Sequence, residues 1–281
     1  MAGPVLVAPM AFWMVAFFLV PLLLIVLYSF GTQHTYQSTP SLGFKLDAYR
    51  RIFTESEYRH AFVLTAQMVV ANTVGCLLIG FPLAYFISLK SGKRKTLFVL
   101  LVMMPFWTSF LIRTFAWKII LDDGGLLNNW LVDLHMRTRG NPIHLMYTNK
   151  AVYAGLIYDY LPFMVLPLFV SIEKIHRSLF EASKDLGAGK WTTFRRVTLP
   201  LSLPGIFAGS LLVAIPTTGE FVIPVILGGG KVVVWGWLIE EAFHAGHNWV
   251  LGAALSNVLL VFMVIVIALY ARAMTSEEAY A

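Results

Sequence analysis

Three ionisable residues lie within long apolar stretches of the sequence: Arg113, Asp159 and Glu220. A charge inside the apolar layer of a membrane is costly and usually faces a partner or an aqueous path. Each of the three lies seven or eight residues from the outer end of its predicted membrane helix, which corresponds to a depth of about 10 to 12 Å. One layer of the protein is therefore expected to hold two acids and one base.

This layer could bind a positively charged amine as it crosses the membrane, because carboxylates and aromatic faces both attract ammonium groups. The candidate path comprises Glu220, Asp159, Trp107, Arg113, Tyr160 and Phe221, and Tyr158 offers a further ring. The alternative is structural: Arg113 pairs with one acid and ties two helices together. Arg113 neutralises one acid only, and the sequence leaves open which, so both interpretations stand.

Glu220 is the favoured cargo-binding acid because of its local sequence. It lies in the segment IPTTGEFVIP, residues 215–224, where two prolines and a glycine interrupt the helix at depth. Broken membrane helices are tolerated where they are buried in protein or line a cavity, and transporters place substrate sites at such breaks. A kink that serves packing alone is the other explanation for the prolines.

The composition requires a membrane protein. Of 281 residues, 58% are hydrophobic and 13% are charged, which is too apolar for a soluble domain. We predict one all-α membrane domain over residues 1–281 with six transmembrane helices. The predicted spans are 5–30, 61–89, 96–121, 151–172, 204–227 and 249–271. Shorter helices are expected over 46–53 and 126–134 and around Glu240 and Glu241.

The orientation follows from the basic residues. Lys90, Lys93, Arg94 and Lys95 form a dense cluster in a short loop, and the loop 173–203 is also rich in Lys and Arg. Such density marks the cytoplasmic side. Both termini are therefore predicted to be cytoplasmic.

The loop 173–203 is a polar island with the pattern of a helix, a sharp turn and a second helix. Ser178 and Glu181 have the spacing of a capping box, and apolar residues recur every three or four positions as far as Leu186. Gly187 then suits a helix end in the left-handed conformation. A second helical segment is expected over 191–198, and residues 202–204 are expected to begin the next membrane helix.

The motif in this loop resembles the EAA loop of ABC importer permeases. It consists of Glu181-Ala182, Gly187 and Leu199-Pro200. Ser183 stands where the commonest form has a second Ala, and Val197 where it has Ile. Over nearly the whole chain the sequence is similar to the PotB/PotH-type permeases of spermidine and putrescine importers, notably in PFWTSFLIR from 105, LPFMVLPL from 161 and GEFVIPVILGG from 219.

The resemblance implies a type I ABC importer permease fold in the inner membrane of a bacterium, with the loop as its cytoplasmic coupling helix. It implies ATPase contacts by Glu181, Ala182, Ser183, Asp185, Leu186 and Gly187. The expected partners are a second homologous permease, two cytoplasmic ATPases and a periplasmic substrate-binding protein. ATP and Mg would be used by the ATPases, with no cofactor bound by this chain. The implied cargo is a polyamine, or alternatively another organic cation, an opine or an amino-acid derivative.

Gly205 and Gly209 form a GxxxG pattern that favours close helix contact, either with the second permease or within this chain. Other function classes fit less well. A secondary transporter driven by an ion gradient would leave the coupling loop unexplained. An enzyme would need a nucleophile or metal set, and His244 and His247 lack further ligands. The GAGK stretch ending at Lys190 does not have P-loop spacing, and basic residues confined to short loops do not indicate nucleic-acid binding.

Overall fold

The computed structural model describes residues 3–33, 40–136, 138 and 141–278. Within these ranges the chain is helical, and its β-type pairing is one isolated bridge between Thr32 and Ser41. Four helices are long and apolar enough to cross a membrane, or up to six if each of two bent helix pairs counts as one span. The prediction of an all-α membrane protein is confirmed.

The helices follow one another along the chain, with the longest connections over residues 30–46 and 134–148. They are α1 Gly3–Met14, a π-helical turn Val15–Leu19, α2 Val20–Ser29, α3 Asp47–Thr54, α4 Ser56–Ser88, α5 Gly92–Met103, a 3-10 turn Met104–Trp107, α6 Phe110–Leu121, α7 Leu126–Asp133, α8 Asn149–Glu173, α9 Arg177–Asp185, α10 Lys190–Thr193, a π-helical turn Phe194–Thr198, α11 Leu199–Leu201, α12 Leu203–Gly219, α13 Val222–Gly228, α14 Trp235–Phe243 and α15 Trp249–Glu278. The short helices expected over 46–53, over 126–134 and around Glu240 correspond to α3, α7 and α14.

One compact unit comprises Met1–Leu64 and Val234–Val266. It contains the first apolar helix, Ala8–Ser29, whose side chains are almost all outside any core, as lipid-facing residues should be. A chain of hydrogen bonds orders its polar part: the Tyr49 hydroxyl donates to Ser29 Oγ at 2.9 Å and accepts from Asn257 Nδ2 at 3.2 Å. The buried indole of Trp235 donates to the Leu255 carbonyl at 3.0 Å.

The other unit comprises Thr65–Val233 and Ile267–Ala281 and contains every candidate site residue. Its central element is α8, which packs against α12 and α13. Half of the residues in the most apolar part of α8 are buried, and Leu156, Met164 and Leu168 have no exposed surface. The side chain of Thr148 caps the start of α8 by accepting from the Ala151 amide. Residues on α8 are therefore held by contacts on several sides.

The GxxxG pattern of α12 packs on α8 within the chain. A methyl group on Gly205 would lie 2.7 Å from the Pro167 carbonyl oxygen, and one on Gly209 would lie 2.7 Å from the Met164 sulfur. These distances are shorter than a side chain allows, so the glycines permit the two helices to approach closely. The structure thus accounts for the pattern by contact inside the subunit.

The third and fifth predicted spans are broken rather than continuous. The helix expected over 96–121 bends by 92° between α5 with its 3-10 turn and α6. Pro105 lacks an amide donor and Thr108 is extended, with φ −99° and ψ 149°, so the α-helical hydrogen bonds cannot continue. The helix expected over 204–227 ends at Gly219 and restarts at Val222. A further bend of 61° separates residues 190–201 from α12.

We predict that Gly205→Ala destabilises the protein, because the new methyl group would meet backbone atoms of α8 that cannot move aside. The expected loss is about 1–3 kcal/mol, as for other overpacked cores. It should appear as a lower midpoint when the purified protein is heated in detergent and the folded fraction is measured by size-exclusion chromatography. Gly124→Ala is the control, since open space surrounds Gly124. Equal midpoints for the two variants would contradict the packing described.

Candidate functional site

Arg113 on α6 forms an ion pair with Asp159 on α8. The Arg113 Nε and Asp159 Oδ1 atoms are 2.9 Å apart, and the two side chains are 10% and 3% exposed. The sequence left open which acid Arg113 neutralises, and the structure assigns it to Asp159. A charged pair this deeply buried costs several kcal/mol of desolvation per ion, which their attraction must offset.

The bend in the third span positions Arg113. Its Nη1 donates to the Pro105 carbonyl oxygen at 2.5 Å, and its guanidinium lies over the Phe106 ring at 5.5 Å from the centroid. The same carbonyl also accepts from the Thr108 amide at 3.2 Å and from the Thr108 hydroxyl at 2.8 Å, so the arginine adds a further donor at the bend. Phe106 is not among the residues that the sequence predicted, although it directly follows the proline that breaks the helix.

The contact between Arg113 and Asp159 is an ion pair without hydrogen-bond alignment. Although 2.9 Å separates the atoms, the Nε–H is not directed at the carboxylate. Within the described part of the chain, neither carboxylate oxygen of Asp159 receives a hydrogen bond. A carboxylate offers about four acceptor positions, so this buried group has unused capacity.

Glu220 lies in the break between α12 and α13, where its backbone is extended with φ −69° and ψ 126°. Its Oε1 accepts from the amides of Val222 at 2.9 Å and Ile223 at 3.2 Å, and its Oε2 accepts from the Tyr160 hydroxyl at 3.0 Å. The broken helix predicted for residues 215–224 is confirmed. The carboxylate caps the first turn of α13, a role that an acid just before a helix start could have suggested.

Asp159, which pairs with Arg113, and Tyr160, which donates to Glu220, are consecutive residues of α8. The rings of Phe106 and Phe163 are 4.9 Å apart, and those of Phe163 and Tyr160 are 6.0 Å apart, so aromatic side chains continue from the arginine towards the tyrosine. This single region contains four of the six residues predicted for the path: Arg113, Asp159, Tyr160 and Glu220.

The remaining aromatic candidates are less closely involved. Phe221 is half-buried beside Glu220. Trp107 is 73% exposed at the bend of the third span, and Tyr158 packs edge-on against Trp117 at 5.5 Å. Among the described residues, Phe106 rather than Trp107 is the ring that contacts Arg113.

The coupling segment begins earlier than its capping-box pattern predicts. Helix α9 starts at Arg177 with His176 as its N-cap, whose backbone is extended and whose side chain makes no capping bond. Ser178 is therefore already inside the first turn and cannot act as an N-cap. The proposed capping box of Ser178 with Glu181 is wrong, because the helix already begins at Arg177, the residue before the serine.

The end of α9 has the predicted left-handed glycine. Gly187 has φ +75°, its amide donates to the Lys184 carbonyl at 2.8 Å, and the Ala188 amide donates to the Ser183 carbonyl at 3.0 Å. This pair of bonds is a Schellman motif. The helix end is thereby fixed, and the chain turns sharply into α10.

Ser183 faces its own chain, whereas the rest of the coupling set faces outwards. The hydroxyls of Ser183 and Thr193 are 2.8 Å apart and half-buried, which joins α9 to α10. Glu181, Ala182, Asp185 and Leu186 are exposed, with Leu186 at 87%. The arrangement of helix, turn and helix is as the sequence predicted.

A helical chain with apolar spans, ionisable groups buried between them and an exposed helical hairpin has the architecture of a membrane permease. Residues 3–274 match the family of binding-protein-dependent transport system inner membrane components, and the chain belongs to this family. It is therefore a multi-pass inner-membrane component of such a transport system, as the resemblance in the sequence indicated.

Relatives from bacteria are similar over nearly the full length. The chain is 39% identical over 261 residues to the spermidine/putrescine transport system permease protein PotB of Escherichia coli K12, covering 93% of this chain and 94% of that protein. It is equally identical to PotB of Haemophilus influenzae, with 93% and 90% covered. A bacterial alginate ABC transporter crystallised with an alginate-bound periplasmic protein has the same fold, with a TM-score of 0.75, 16% identity and 95% and 91% covered.

We predict that Glu220→Gln keeps the fold whereas Glu220→Leu weakens it. Glutamine retains an oxygen that can accept from the amides of Val222 and Ile223, whereas leucine leaves both without the cap. Loss of such a cap costs about 0.5–2 kcal/mol. Thermal unfolding of the detergent-solubilised protein should show a lower midpoint for Glu220→Leu only. A large loss in Glu220→Gln would show that the negative charge, and not the cap, maintains the break.

Proposed function

We propose that this chain is a transmembrane subunit of an ABC importer whose cargo is a polyamine of the putrescine and spermidine class. The observation that carries the cargo proposal is the charge of this region: Asp159 pairs with Arg113, whereas Glu220, which accepts from the Tyr160 hydroxyl, forms no ion pair with a described residue. An excess of negative charge at this depth favours cationic cargo. The names of the full-length relatives point to the same class of cargo.

The aromatic side chains of this region suit a linear amine. Phe106, Phe163 and Tyr160 form a continuous row of rings beside the charged groups. Ammonium groups bind to carboxylates and to ring faces, and the methylene segments between them pack on the same rings. Another organic cation, an opine or an amino-acid derivative could use the same groups, so these are the competing cargoes.

The exposed coupling segment supports a role for partner ATPases. In the proposed assembly, this chain pairs with a second homologous permease, two ATPases serve the pair with one of them docked on α9, and a periplasmic protein delivers cargo. ATP and Mg are used by the ATPases, while this chain binds no cofactor and catalyses no reaction. The Schellman motif at Gly187 and the hydroxyl pair of Ser183 and Thr193 make the segment stiff enough to transmit ATPase motion.

In the proposed orientation, both termini lie in the cytoplasm. The basic cluster of residues 90–95 and the loop 173–203 then share the cytoplasmic side, as the distribution of positive charge favours. Lys95 and Glu173, which end the third and fourth spans on this side, form an ion pair at 2.6 Å.

Uptake by membrane vesicles tests the proposed cargo. Vesicles containing this chain with the partner subunits encoded beside it should take up radiolabelled putrescine or spermidine in a manner that requires ATP. Glu220→Gln should reduce uptake at least about tenfold, because it removes a negative charge worth of order 1.4 kcal/mol or more to a cation while retaining the helix cap. Intact wild-type ATPase association without uptake of either polyamine would refute the cargo assignment.

Gly187→Asp tests the coupling segment. An aspartate at φ +75° strains the backbone and adds a charge at the end of α9, so uptake should stop while the protein remains in the membrane. Gly189→Asp is the matched control, because Gly189 has φ −70° and open space around it. Uptake, ATPase co-purification and membrane content should be measured for both variants. Normal uptake with normal ATPase association in Gly187→Asp would remove the basis for this role.

A further inference from the structure

The guanidinium of Arg113 occupies a site with three partners for a cation. These are the carboxylate of Asp159 at 2.9 Å, the face of the Phe106 ring at 5.5 Å and the carbonyl oxygen of Pro105 at 2.5 Å. The Pro105 carbonyl also accepts from the amide and the hydroxyl of Thr108, so Asp159 is the partner with free acceptor positions. Carboxylates, carbonyls and ring faces also bind primary ammonium groups. The three partners belong to α8 and to the 3-10 turn before α6, so the site does not depend on α6 for its ligands.

The arginine fits this site incompletely. Its Nε lies close to the carboxylate without hydrogen-bond alignment, and both Asp159 oxygens lack a hydrogen bond from any described residue. An ion pair that served only to brace two helices would gain most from the parallel, two-fold hydrogen bonds that arginine and a carboxylate can form. An ammonium group has three donors that rotate freely, so it can reach acceptor positions that the tethered guanidinium leaves unused.

Glu220 has no comparable capacity. Its two oxygens already accept three hydrogen bonds, from the amides of Val222 and Ile223 and from the Tyr160 hydroxyl. A cargo amine that displaced these donors would uncap α13. Of the two acids in the region, Asp159 has the larger unused capacity, because its oxygens accept no hydrogen bond from any described residue.

We propose that Arg113 is a tethered stand-in for the cationic cargo. In the cargo-free protein its guanidinium fills the site formed by Asp159, the Pro105 carbonyl and Phe106, and during transport a cargo ammonium displaces it. This inference rests on the proposed function, which supplies the cargo. The exchange keeps the buried carboxylate compensated throughout, since one cation leaves only as another arrives. Arg113 therefore makes cargo binding weaker than the site itself allows, which favours release.

Direct binding tests the stand-in. The complete transporter, with its partner permease and ATPases but without the periplasmic protein, is placed in lipid nanodiscs and equilibrated with radiolabelled putrescine, spermidine or methylguanidinium. Arg113→Ala should tighten binding of at least one of these cations by about tenfold or more, the factor equivalent to about 1.4 kcal/mol. The double variant Arg113→Ala with Asp159→Asn should lose this gain, and Arg113→Lys should bind as weakly as the wild type.

Lys95→Ala is the matched control. Lys95 and Glu173 form a second ion pair between described residues of the third and fourth spans, at 2.6 Å, but it lies near the helix ends and is partly exposed. Breaking it should leave cation binding unchanged. If Arg113→Ala assembles normally and binds no more tightly, or if the gain persists in the double variant, the stand-in is refuted.

If Arg113→Ala does not assemble, chemical rescue tests the same proposal. Methylguanidinium added during purification should then restore assembly by filling the vacant site, and Asp159→Asn should abolish the rescue. A lack of rescue would overturn the proposal. The result is separable from the cargo assignment: wild-type vesicles that take up no polyamine refute the cargo, whereas tighter methylguanidinium binding by Arg113→Ala would still support the site. Normal polyamine uptake without any gain in binding would refute the stand-in alone.

Discussion

A carboxylate buried between membrane helices needs a positive partner, and Asp159 has Arg113. Removing one member of such a pair typically costs about 3–5 kcal/mol, because the other charge is left uncompensated. The bend in the third span lets Arg113 reach both Asp159 on α8 and the Pro105 carbonyl, which also accepts from Thr108. The break after Gly219 similarly places Glu220 where Tyr160, the next residue on α8, can donate to it.

Helix α8, which contains Pro162 and Pro167, leads from this charged region to the coupling segment. Fourteen residues of continuous helix, about 21 Å, separate Asp159 from Glu173, and α9 begins at Arg177. Helix α12 returns from the coupling segment and packs on α8 through Gly205 and Gly209. In the proposed mechanism, a displacement of α9 by the ATPases would thus act on α8, which carries Asp159, and on α12, which ends just before Glu220. Close packing transmits such a movement rather than absorbing it.

The sequence predicted the features that depend on a residue's own backbone limits. The left-handed turn at Gly187 and the interruption near Pro216 and Pro224 follow from local chemistry, and both are present. It did not predict the bend at Pro105, because a proline inside a membrane helix can also be accommodated by a mild kink, and the outcome depends on the tertiary partner of Arg113. The capping box failed for a related reason, since the entry of the chain at His176 sets the helix start.

The sequence did not predict which side chains and helices contact one another. Spacing along helices predicted a common depth for Arg113, Asp159 and Glu220, but not the rotation of one helix about another that pairs the arginine with Asp159. The GxxxG pattern likewise indicated a close approach without telling which helix approaches. Pair identity is a property of the folded core, whereas depth is a property of each helix alone.

The exposed apolar residues of the coupling segment also bear on how such a protein is made. Leu186 and Trp191 are 87% and 73% exposed, and in the proposed orientation neither is covered by lipid. Exposed apolar groups of this kind favour non-specific association until a partner covers them. A chain synthesised in excess of its ATPase would thus keep these apolar residues exposed, where chaperones and proteases of the cytoplasm can recognise them. The exposed surface of the coupling segment therefore favours balanced synthesis of the subunits.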